Sequence, residues 1–397
     1  MRKSGENKRV KIIRITTHPR TLYAFCRGLL AELSVYYEVI AVSSPGDKLD
    51  DLSQSEHIRC IPVRMERPIS LRKDIVSLFK LIKVFKAERP QIVHSMTPKA
   101  GLLSMVAAWT TGVPIRIHTF TGLVFPTSTG FKRKLLMLTD RITCACATHI
   151  IPEGEGVKHD LEHYGITGKP MWVLGYGNVR GIDLQYYSRT KEVLDEAKKI
   201  RHSLDIDSNS LVFIFVGRLV RDKGINELAA TFDKLYKQFT DIHLILIGHD
   251  ERTLDPLNDN TLRIINDNPH IHAVGEKGDV RPWYAASDVL VFPSYREGFP
   301  NVVIEAGAMG LPSIVTDING SREIIRQNKN GVIIPSQDAD ALYQTMNDFI
   351  THPQKIKAMG EKARPLVASR YEQTFVRQCL KDFYKSALNG LYNEGTI

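Results

Sequence analysis

The sequence predicts an α/β protein made of two doubly wound domains, each with a parallel sheet covered by helices. At 397 residues the chain is too long for one ordinary core and suits two domains. Short β-branched runs alternate with helical patterns along the chain, as in sheets wound with helices. The stretch from Gly175 to Gly181 then breaks the alternation with three glycines, where a chain can turn sharply.

We place the domain boundary at this glycine-rich stretch. Residues 1–178 would form the first domain and residues 179–370 the second. The segment 371–391 has apolar residues at mostly helical spacing, and we expect this helix to dock back on the first domain and complete it. Because ligands bind at the carboxyl ends of strands in such sheets, we expect the active site between the two domains.

The alternation predicts seven strands in the first domain and six in the second. Those of the first domain are Lys11–Thr17, Glu38–Ser44, Ile58–Val63, Ile92–Met96, Ile115–Thr119, His149–Pro152 and Met171–Leu174. Those of the second domain are Leu211–Val216, His243–Ile247, Ile271–Val274, Val289–Phe292, Ser313–Thr316 and Gly331–Ile334.

The composition indicates a globular enzyme of a reducing compartment. Hydrophobic residues make up 43% and charged residues 24% of the chain. The five cysteines are scattered, without the spacing of a disulfide framework or a zinc site. No apolar run reaches the ~18 residues of a spanning helix, and the start lacks the apolar core of a secretion signal. We therefore expect a cytoplasmic protein.

Positive charge is concentrated in the first half of the chain. Up to Arg180 there are 27 Lys and Arg against 15 Asp and Glu, whereas the remainder has 26 against 29. A basic half can meet nucleic acid, anionic lipid or a phosphorylated substrate. There is no RNA-binding or helix-turn-helix signature, so we expect no nucleic-acid partner.

Two basic amphipathic stretches, Leu71–Arg89 and Phe131–Arg141, interleave cations with large apolar residues. Either stretch alone is more typical of a core helix with a solvated basic face. Helices of this kind can also lie on anionic lipid. Together with the basic half, they favour a peripheral protein on the inner face of the cytoplasmic membrane.

The segment SYREGFPNVVIEAGAMGLP, Ser294–Pro312, directly follows an apolar strand. Glu297 stands on the loop, and Pro300 is well placed to open a helix because a missing N–H costs nothing there. The free amides and positive dipole of the helix start can bind an anionic, hydroxyl-rich ligand such as a nucleotide diphosphate. Glu305, eight residues after Glu297, can bind a second set of hydroxyls. The alternative is a solvated Glu297 and a Glu305 paired with a cation.

A second segment, FVGRLVRDKG from Phe215 to Gly224, also follows a strand and opens a helix. Arg218 and Lys223 can converge on a diphosphate leaving group, Arg as a fork and Lys as a point charge. Neutralising that charge would stabilise its departure. The alternative is a basic surface turn. The presence of the segment with Glu297 and Glu305 in the same chain makes this alternative less favoured.

These two segments, about eighty residues apart, resemble the donor half of retaining glycosyltransferase family 4, which has the GT-B fold. Four further stretches resemble the same family: GYGNVRGID from Gly175, IGHDERTLDPL from Ile247, GDVRPWYAASDVLVFPS from Gly278 and TDINGSREII from Thr316. The resemblance covers nearly the whole chain and is tightest between Gly175 and Pro335. It implies that the first domain, residues 1–178, binds the acceptor and that the second, residues 179–370, binds the donor.

The resemblance implies a role for each motif residue. Arg218 and Lys223 would bind the donor pyrophosphate, Glu305 the ribose and Glu297 the transferred sugar. The backbone amides that would hold phosphate and sugar oxygens belong to Gly298, Phe299 and Asn301, with Val302 beside them in the donor site. Pro300 has no N–H to contribute.

The family also implies a reaction without a catalytic metal or other cofactor, since protein cations take the place of a metal. The pair Asp205 and Asp207 precedes a strand instead of ending one, so we interpret it as a turn and not a metal site. Retention by double displacement would need a carboxylate nucleophile, for which Glu297 is the candidate. We favour same-face attack, in which the departing phosphate receives the acceptor proton and Glu297 positions the sugar.

The first half resembles a subgroup that builds bacterial surface polysaccharides, through ITTHPRTLYAFCRGLLAEL, AVSSPGD and HTFTGLVFPTSTGFKRKLL. It departs from the family at two points. Thr17 to Arg20 has no glycine after the first strand, and Thr121 stands where many members have a histidine. His118 lies three residues earlier and is a candidate catalytic residue, although a histidine at a strand end can equally be structural.

The resemblance implies transfer of a sugar from a nucleotide donor, which we expect to be a UDP-sugar. The expected acceptor is a saccharide on polyprenyl diphosphate, in capsule or O-antigen synthesis. Two alternatives remain: a UDP-sugar 2-epimerase of the same architecture, and a non-catalytic scaffold of a polysaccharide assembly complex. A dehydrogenase is not expected, because no Gly-x-Gly-x-x-Gly follows the first strand.

Overall fold

A computed structural model describes residues 9–66, 70–249 and 255–394. Within these residues the chain forms twelve β-strands and sixteen α-helices. The strands are β1 (Lys11–Ile15), β2 (Glu38–Ser43), β3 (Arg59–Pro62), β4 (Ile92–Met96), β5 (Ile115–Phe120), β6 (His149–Pro152), β7 (Leu211–Val216), β8 (Ile242–Ile247), β9 (Ile271–Gly275), β10 (Val289–Phe292), β11 (Ser313–Thr316) and β12 (Gly331–Ile334).

The helices fill the intervals between the strands and the C-terminal segment. They are α1 (Pro19–Cys26), α2 (Leu29–Ser34), α3 (Asp47–Glu56), α4 (Leu71–Glu88), α5 (Pro98–Thr110), α6 (Gly130–Cys146), α7 (Glu155–His163), α8 (Lys191–Ser203), α9 (Ile225–Tyr236), α10 (Asp259–Asp267), α11 (Arg281–Ala285), α12 (Asn301–Ala308), α13 (Ser321–Ile324), α14 (Ala339–Thr351), α15 (Pro353–Tyr371) and α16 (Gln373–Glu394).

The chain divides into two compact units. Unit one comprises the chain up to Arg180 together with the residues from Val376 onward, and unit two runs from Gly181 to Phe375. Most of α16 therefore belongs to unit one, where Tyr384 is fully buried in the core. The docking of the C-terminal helix on the first domain, expected from its apolar spacing, is confirmed.

Unit one contains a parallel six-stranded sheet in the order β3-β2-β1-β4-β5-β6. The prediction of a seventh strand at Met171–Leu174 is wrong. Met171 makes only a single bridge, to Ile150. Pro170 has no N–H to extend the ladder, and Gly175, with a φ of 58°, turns the chain away soon afterwards.

Alternate residues of the unit-one strands face two different helical layers. Ile13 packs in a core with Leu81 of α4 and Leu103 of α5, whereas Ile12 packs with Leu22 of α1. This is the period of two that any strand imposes on its side chains. Both faces are covered, which explains why the strands read as almost continuous apolar runs.

Unit two repeats the same plan with six parallel strands in the order β12-β11-β10-β7-β8-β9. All six strands predicted for this half are present, with ends that differ by one residue at most. In both units the strand order reverses once along the sheet, between β1 and β4 and between β7 and β10. Ligands of doubly wound sheets bind outside the carboxyl ends of strands at such a reversal.

Among the described residues, no helix combines the length and the apolar character that crossing a membrane requires.

Candidate active site

The predicted donor-site residues gather at the strand-order reversal of unit two. Strands β7 and β10 are adjacent and parallel, with Phe213 opposite Val289, so their carboxyl ends lie at the same edge of the sheet. Arg218 and Lys223 follow β7, and Glu297 follows β10. Two segments that are far apart in sequence thus meet at the place where this fold binds ligands.

The loop after β7 is fixed by backbone contacts. Leu219 donates its N–H to the carbonyl of His249 at 2.9 Å, and Lys223 ends a short 3-10 turn. Gly224 has a φ of 72°, and a Cβ at this position would overlap the carbonyl oxygen of Pro293. A glycine is therefore required for the loop to pack against the end of β10 and open α9.

Lys223 and Glu297 form an ion pair between the two loops. Their side chains are only 14% and 18% exposed, so the pair is largely shielded from water. The hydroxyl of Ser294 donates to the same Glu297 oxygen at 3.0 Å, and the Lys223 ammonium lies 5.7 Å from the ring centroid of Phe292. A cation and a carboxylate in this arrangement can hold a phosphate and a sugar hydroxyl at neighbouring positions.

Asp222 links the two loops next to this pair, and the sequence reasoning gave it no role. Its backbone carbonyl accepts from the N–H of Tyr295 at 2.8 Å, and its carboxylate accepts from the Arg296 guanidinium at 2.9 Å. The available signal was its position inside the basic motif, between Arg221 and Lys223. A turn whose only function is to present cations would not be expected to contain an acidic residue at this position.

The loop from Gly298 leads into α12 through Pro300, which occupies the N-cap position and makes no side-chain capping hydrogen bond. Phe299 is buried, and its ring meets the Tyr371 ring edge-on with centroids 5.5 Å apart. A Cβ on Gly320 would lie 2.6 Å from the carbonyl oxygen of Gly298, so this second turn packs directly on the loop. Asn301 and Val302 lie in the first turn of α12, where the backbone amides point out of the helix start as in any α-helix.

Glu305 lies in the second turn of α12, only 7% exposed. One of its carboxylate oxygens accepts from the hydroxyl of Tyr284 at 3.5 Å. Tyr284 is itself fully buried and belongs to α11. The helix and this contact fix the orientation of the carboxylate. Its assignment to a ribose stays a prediction.

His118 lies in unit one and is 1% exposed. Its Nδ1 is 2.8 Å from the hydroxyl of Ser95, and its ring covers Gly101 of α5 so closely that a Cβ there would clash. Burial lowers the pKa of His118 to about 3, which keeps the imidazole neutral. The sequence left open whether His118 is catalytic or structural, and these contacts favour the structural role.

The strand-order reversal of unit one carries a pair of threonines that the sequence reasoning missed. The hydroxyls of Thr17 and Thr97, after β1 and β4, are 2.9 Å apart. Thr97 has a φ of 73°, an uncommon conformation for a residue with a branched side chain, and strained residues of this kind cluster at functional sites. Only the structure reveals the strain, because Thr97 before Pro98 looks ordinary in sequence.

The chain carries no evident metal cage in the described residues, where no group of three or more His, Cys, Asp or Glu is arranged to hold an ion. Asp205 and Asp207 lie in the turn between α8 and β7, as interpreted from the sequence, and Asp205 has a φ of 52°. The stretch IGHDERTLDPL lies partly outside the described residues, which end at His249 and resume at Asp255.

Comparison with known proteins identifies the chain as a glycosyltransferase. Residues 196–365 match the family model described as "Glycosyl transferases group 1", and residues 19–177 match the model described as "Glycosyltransferase Family 4". The chain is 33% identical over 352 residues to the capsular polysaccharide biosynthesis glycosyltransferase CapM of Staphylococcus aureus, an alignment that covers 88% of this chain and 90% of the relative. The chain belongs to glycosyltransferase family 4, and the enzyme class and resemblance expected from the motifs are confirmed.

Two further comparisons agree with this enzyme class and with the fold. An Escherichia coli relative described as a UDP-Gal:alpha-D-GlcNAc-diphosphoundecaprenol alpha-1,3-galactosyltransferase is 29% identical over 346 residues, covering 85% of this chain and 86% of the relative. The crystal structure of Anabaena HepE in complex with UDP-glucose matches with a TM-score of 0.78 at 16% identity, over 95% of this chain and 99% of that chain. The second match confirms the GT-B fold.

Proposed function

We propose that this glycosyltransferase moves a hexose or an N-acetylhexosamine from a UDP-sugar to a saccharide carried on polyprenyl diphosphate, in the synthesis of a bacterial surface polysaccharide. The described activity of the E. coli relative supports both a UDP-sugar donor and a diphosphoundecaprenol acceptor. The S. aureus relative supports a place in capsule synthesis.

The observation that carries the proposal is the Lys223 and Glu297 ion pair at the ends of β7 and β10. In the proposed reaction Arg218 and Lys223 neutralise the charge that develops on the departing diphosphate. The amides at the start of α12 bind phosphate and sugar oxygens. Glu297 positions the transferred sugar, and Glu305 holds the ribose.

We further propose a retaining, metal-independent course. The acceptor attacks from the face that the diphosphate leaves, and the leaving phosphate oxygen takes the acceptor proton. The E. coli relative is described as forming an α-1,3 linkage, which retention would give from an α-linked donor. Turnover should be unchanged by EDTA after extensive dialysis; a loss that Mg²⁺ or Mn²⁺ restores would contradict the metal-independent course.

The test is transfer from a panel of radiolabelled nucleotide sugars to lipid-linked acceptors, with Lys223→Ala and Glu305→Ala as site variants. Each should lose on the order of 10²-fold or more in kcat/KM, comparable to the loss of one preorganised charge-stabilising group. The matched controls Lys237→Ala and Glu196→Ala change the same residue types at exposed positions of unit two and should leave turnover unchanged.

Full activity in either site variant would contradict the site assignment. Incubation with the UDP-sugar alone separates the alternatives: conversion to an isomeric UDP-sugar would identify an epimerase. If no nucleotide sugar raises the melting temperature or is turned over, the scaffold alternative would replace the proposed reaction.

We also propose that the enzyme works at the inner face of the cytoplasmic membrane. Helix α4 exposes 77% of Leu71 and 65% of Phe79, and α6 exposes 81% of Phe131 and 52% of Leu138. These apolar side chains stand beside cations on the same helices, the combination that binds anionic lipid surfaces. Vesicle co-sedimentation of a Phe79→Ala/Phe131→Ala variant should show weaker binding than the wild type; equal binding would contradict this location.

A further inference from the structure

A groove runs between α4 and the chain that leaves the edge strand β3. It consists of two adjoining cavities of about 380 Å³ and 370 Å³, both lined by Lys80. The Ser77 hydroxyl donates a hydrogen bond of 2.6 Å to the backbone carbonyl of Arg64, which joins α4 to the chain that follows β3. We call this feature the basic groove. It lies in unit one, well away in sequence from every donor-site residue.

The lining of the basic groove is strongly cationic. Five cations line it against two carboxylates: Arg64, Arg72, Lys73, Lys80 and Lys83 against Glu66 and Glu88. Both carboxylates are already engaged. Glu66 accepts from Lys73 at 2.8 Å, and Glu88 pairs with Lys11 at 2.9 Å as well as with Arg59.

Three of the cations have no counter-ion among the residues that the structure describes. Arg72, Lys80 and Lys83 form no ion pair with any residue in the described part of the chain, and all three are exposed. Lys80 and Lys83 are three residues apart on one helix and therefore neighbours on its surface. Because the groove holds like charges side by side, it is complementary to an anion.

The floor and the rim of the basic groove are apolar. Val63, Val76 and Val84 line the two cavities between the cations. Beside the groove, the outer side of α4 exposes Ile75 and Phe79 by 52% and 65%. An occupant that matches both features is an anion attached to a hydrocarbon chain, and a freely soluble anion would leave the apolar rim uncovered.

We propose that the basic groove binds the phosphate headgroup of an anionic bilayer lipid. Lys80 and Lys83 contact the phosphate, Arg72 contacts the same headgroup or its neighbour, and Phe79 enters the acyl region. The proposal rests on the proposed membrane location and deepens it, because it replaces a diffuse attraction to the surface with a lipid-binding site.

The test compares two charge-matched double variants of the full chain. Lys80→Gln/Lys83→Gln removes two groove cations, whereas Lys86→Gln/Lys132→Gln removes two exposed cations of α4 and α6 that do not line the groove. Binding is measured by co-sedimentation with vesicles of phosphatidylglycerol and phosphatidylcholine. We expect the groove variant to bind about tenfold more weakly than the control variant, because a shared phosphate is lost in addition to the general surface attraction.

Each other outcome overturns the proposal. Equal weakening in both variants would show that only the general charge matters. Displacement of the protein from vesicles by inorganic phosphate at constant ionic strength would identify a site for free phosphate instead of lipid. Transfer to a detergent-solubilised acceptor is measured in parallel, and its retention in the groove variant shows that the proposed catalysis stands whichever way the vesicle result falls.

Discussion

Gly224 connects the loop of Lys223 to helix α9, and its φ of 72° is accessible to few residues with a side chain. We predict that Gly224→Ala is strongly destabilising, since the new Cβ would overlap the carbonyl oxygen of Pro293 and push the loop off β10. The left-handed conformation alone costs an L-residue roughly 1 to 2 kcal/mol, and the overlap adds to it. Urea unfolding measures the total loss in the free energy of unfolding. The increase in melting temperature on adding UDP measures whether the Lys223 loop still binds the nucleotide.

Gly310 is the matched control for this prediction. It also has a positive φ, of 81°, but a Cβ there would meet no atom within 4 Å. Gly310→Ala should therefore show only the conformational cost. If the two variants lose equal stability, close approach at Gly224 is not what the glycine provides.

Asp140 is a buried carboxyl group of α6, only 8% exposed. Burial raises the pKa of Asp140 to about 7, from an ordinary value of 3.8. Between these values the folded chain holds a proton that the unfolded chain has released, so the free energy of unfolding falls as pH rises through this window. Asp140→Asn removes this penalty and should stabilise the protein increasingly from pH 5 to pH 8, by up to about 4 kcal/mol.

Thermal unfolding at both pH values checks this second prediction. Asp51→Asn makes the same substitution at an exposed position of α3, and comparison with this control variant isolates the effect of burial at Asp140. A gain that is equal at pH 5 and pH 8 would mean that proton binding at Asp140 does not produce it.

The sequence named the candidate residues of the donor site but could not predict the contacts between them. Motif context named Glu297 and Lys223, yet their ion pair joins positions 74 residues apart. That pairing depends on β7 and β10 being neighbours, which follows from the strand order and not from either motif. Asp222 and Thr97 were missed for the same reason, because a loop contact and a backbone angle leave no compositional signal.

At the level of elements, apolar runs located twelve strands and failed at one. Met171–Leu174 has the same apolar character as β6, so local pattern alone assigns both to the sheet. What separates them is the number of ladder contacts, since Met171 reaches Ile150 once and Pro170 cannot donate. A segment becomes a strand only where an adjacent strand can pair with it. That pairing depends on the tertiary structure and is not contained in the local sequence pattern.

Helix α16 is anchored to unit one by a buried polar cluster. Arg14 of β1 is 3% exposed and donates to the Tyr384 hydroxyl at 2.8 Å, with His94 Nδ1 2.6 Å from the same guanidinium nitrogen. Burial and Arg14 hold the pKa of His94 well below its usual range, so the imidazole is neutral and can accept this proton. The buried cation of β1 is thus solvated by polar groups of two other elements, β4 and α16.

We predict that Tyr384→Phe destabilises unit one, because it removes an acceptor from a buried guanidinium. The expected loss is about 1 to 3 kcal/mol, the cost of leaving a buried polar group short of a partner. Denaturant unfolding measures it. Tyr36→Phe, at a side chain 62% exposed, removes the same hydroxyl from the surface and should be neutral. An equally neutral Tyr384→Phe would show that α16 is held by apolar packing alone.

For the whole molecule, the sequence predicts a domain boundary after residue 178 in the glycine-rich stretch, and the two compact units divide after Arg180. The return of α16 to unit one was also indicated by its apolar spacing. The acceptor-binding and donor-binding roles of the two domains, and an active site between them, stay predictions. They concern ligands, for which strand patterns carry no information.

The uneven charge of the molecule leads to a final prediction. The chain up to Arg180 has an excess of twelve positive charges, whereas the remainder is slightly acidic, so membrane attraction and donor chemistry depend on different parts of the protein. Raising ionic strength screens exposed charges over a Debye length of about 10 Å at 0.1 M and about 3 Å at 1 M, but affects the shielded Lys223 and Glu297 pair much less. Vesicle binding should therefore fall steeply with added salt while transfer to a detergent-solubilised acceptor changes little. If the two activities fall together along a salt titration, charge on the surface of unit one is not what holds the enzyme at its substrate, and the proposed location would have to rest on the apolar side chains of α4 and α6 alone.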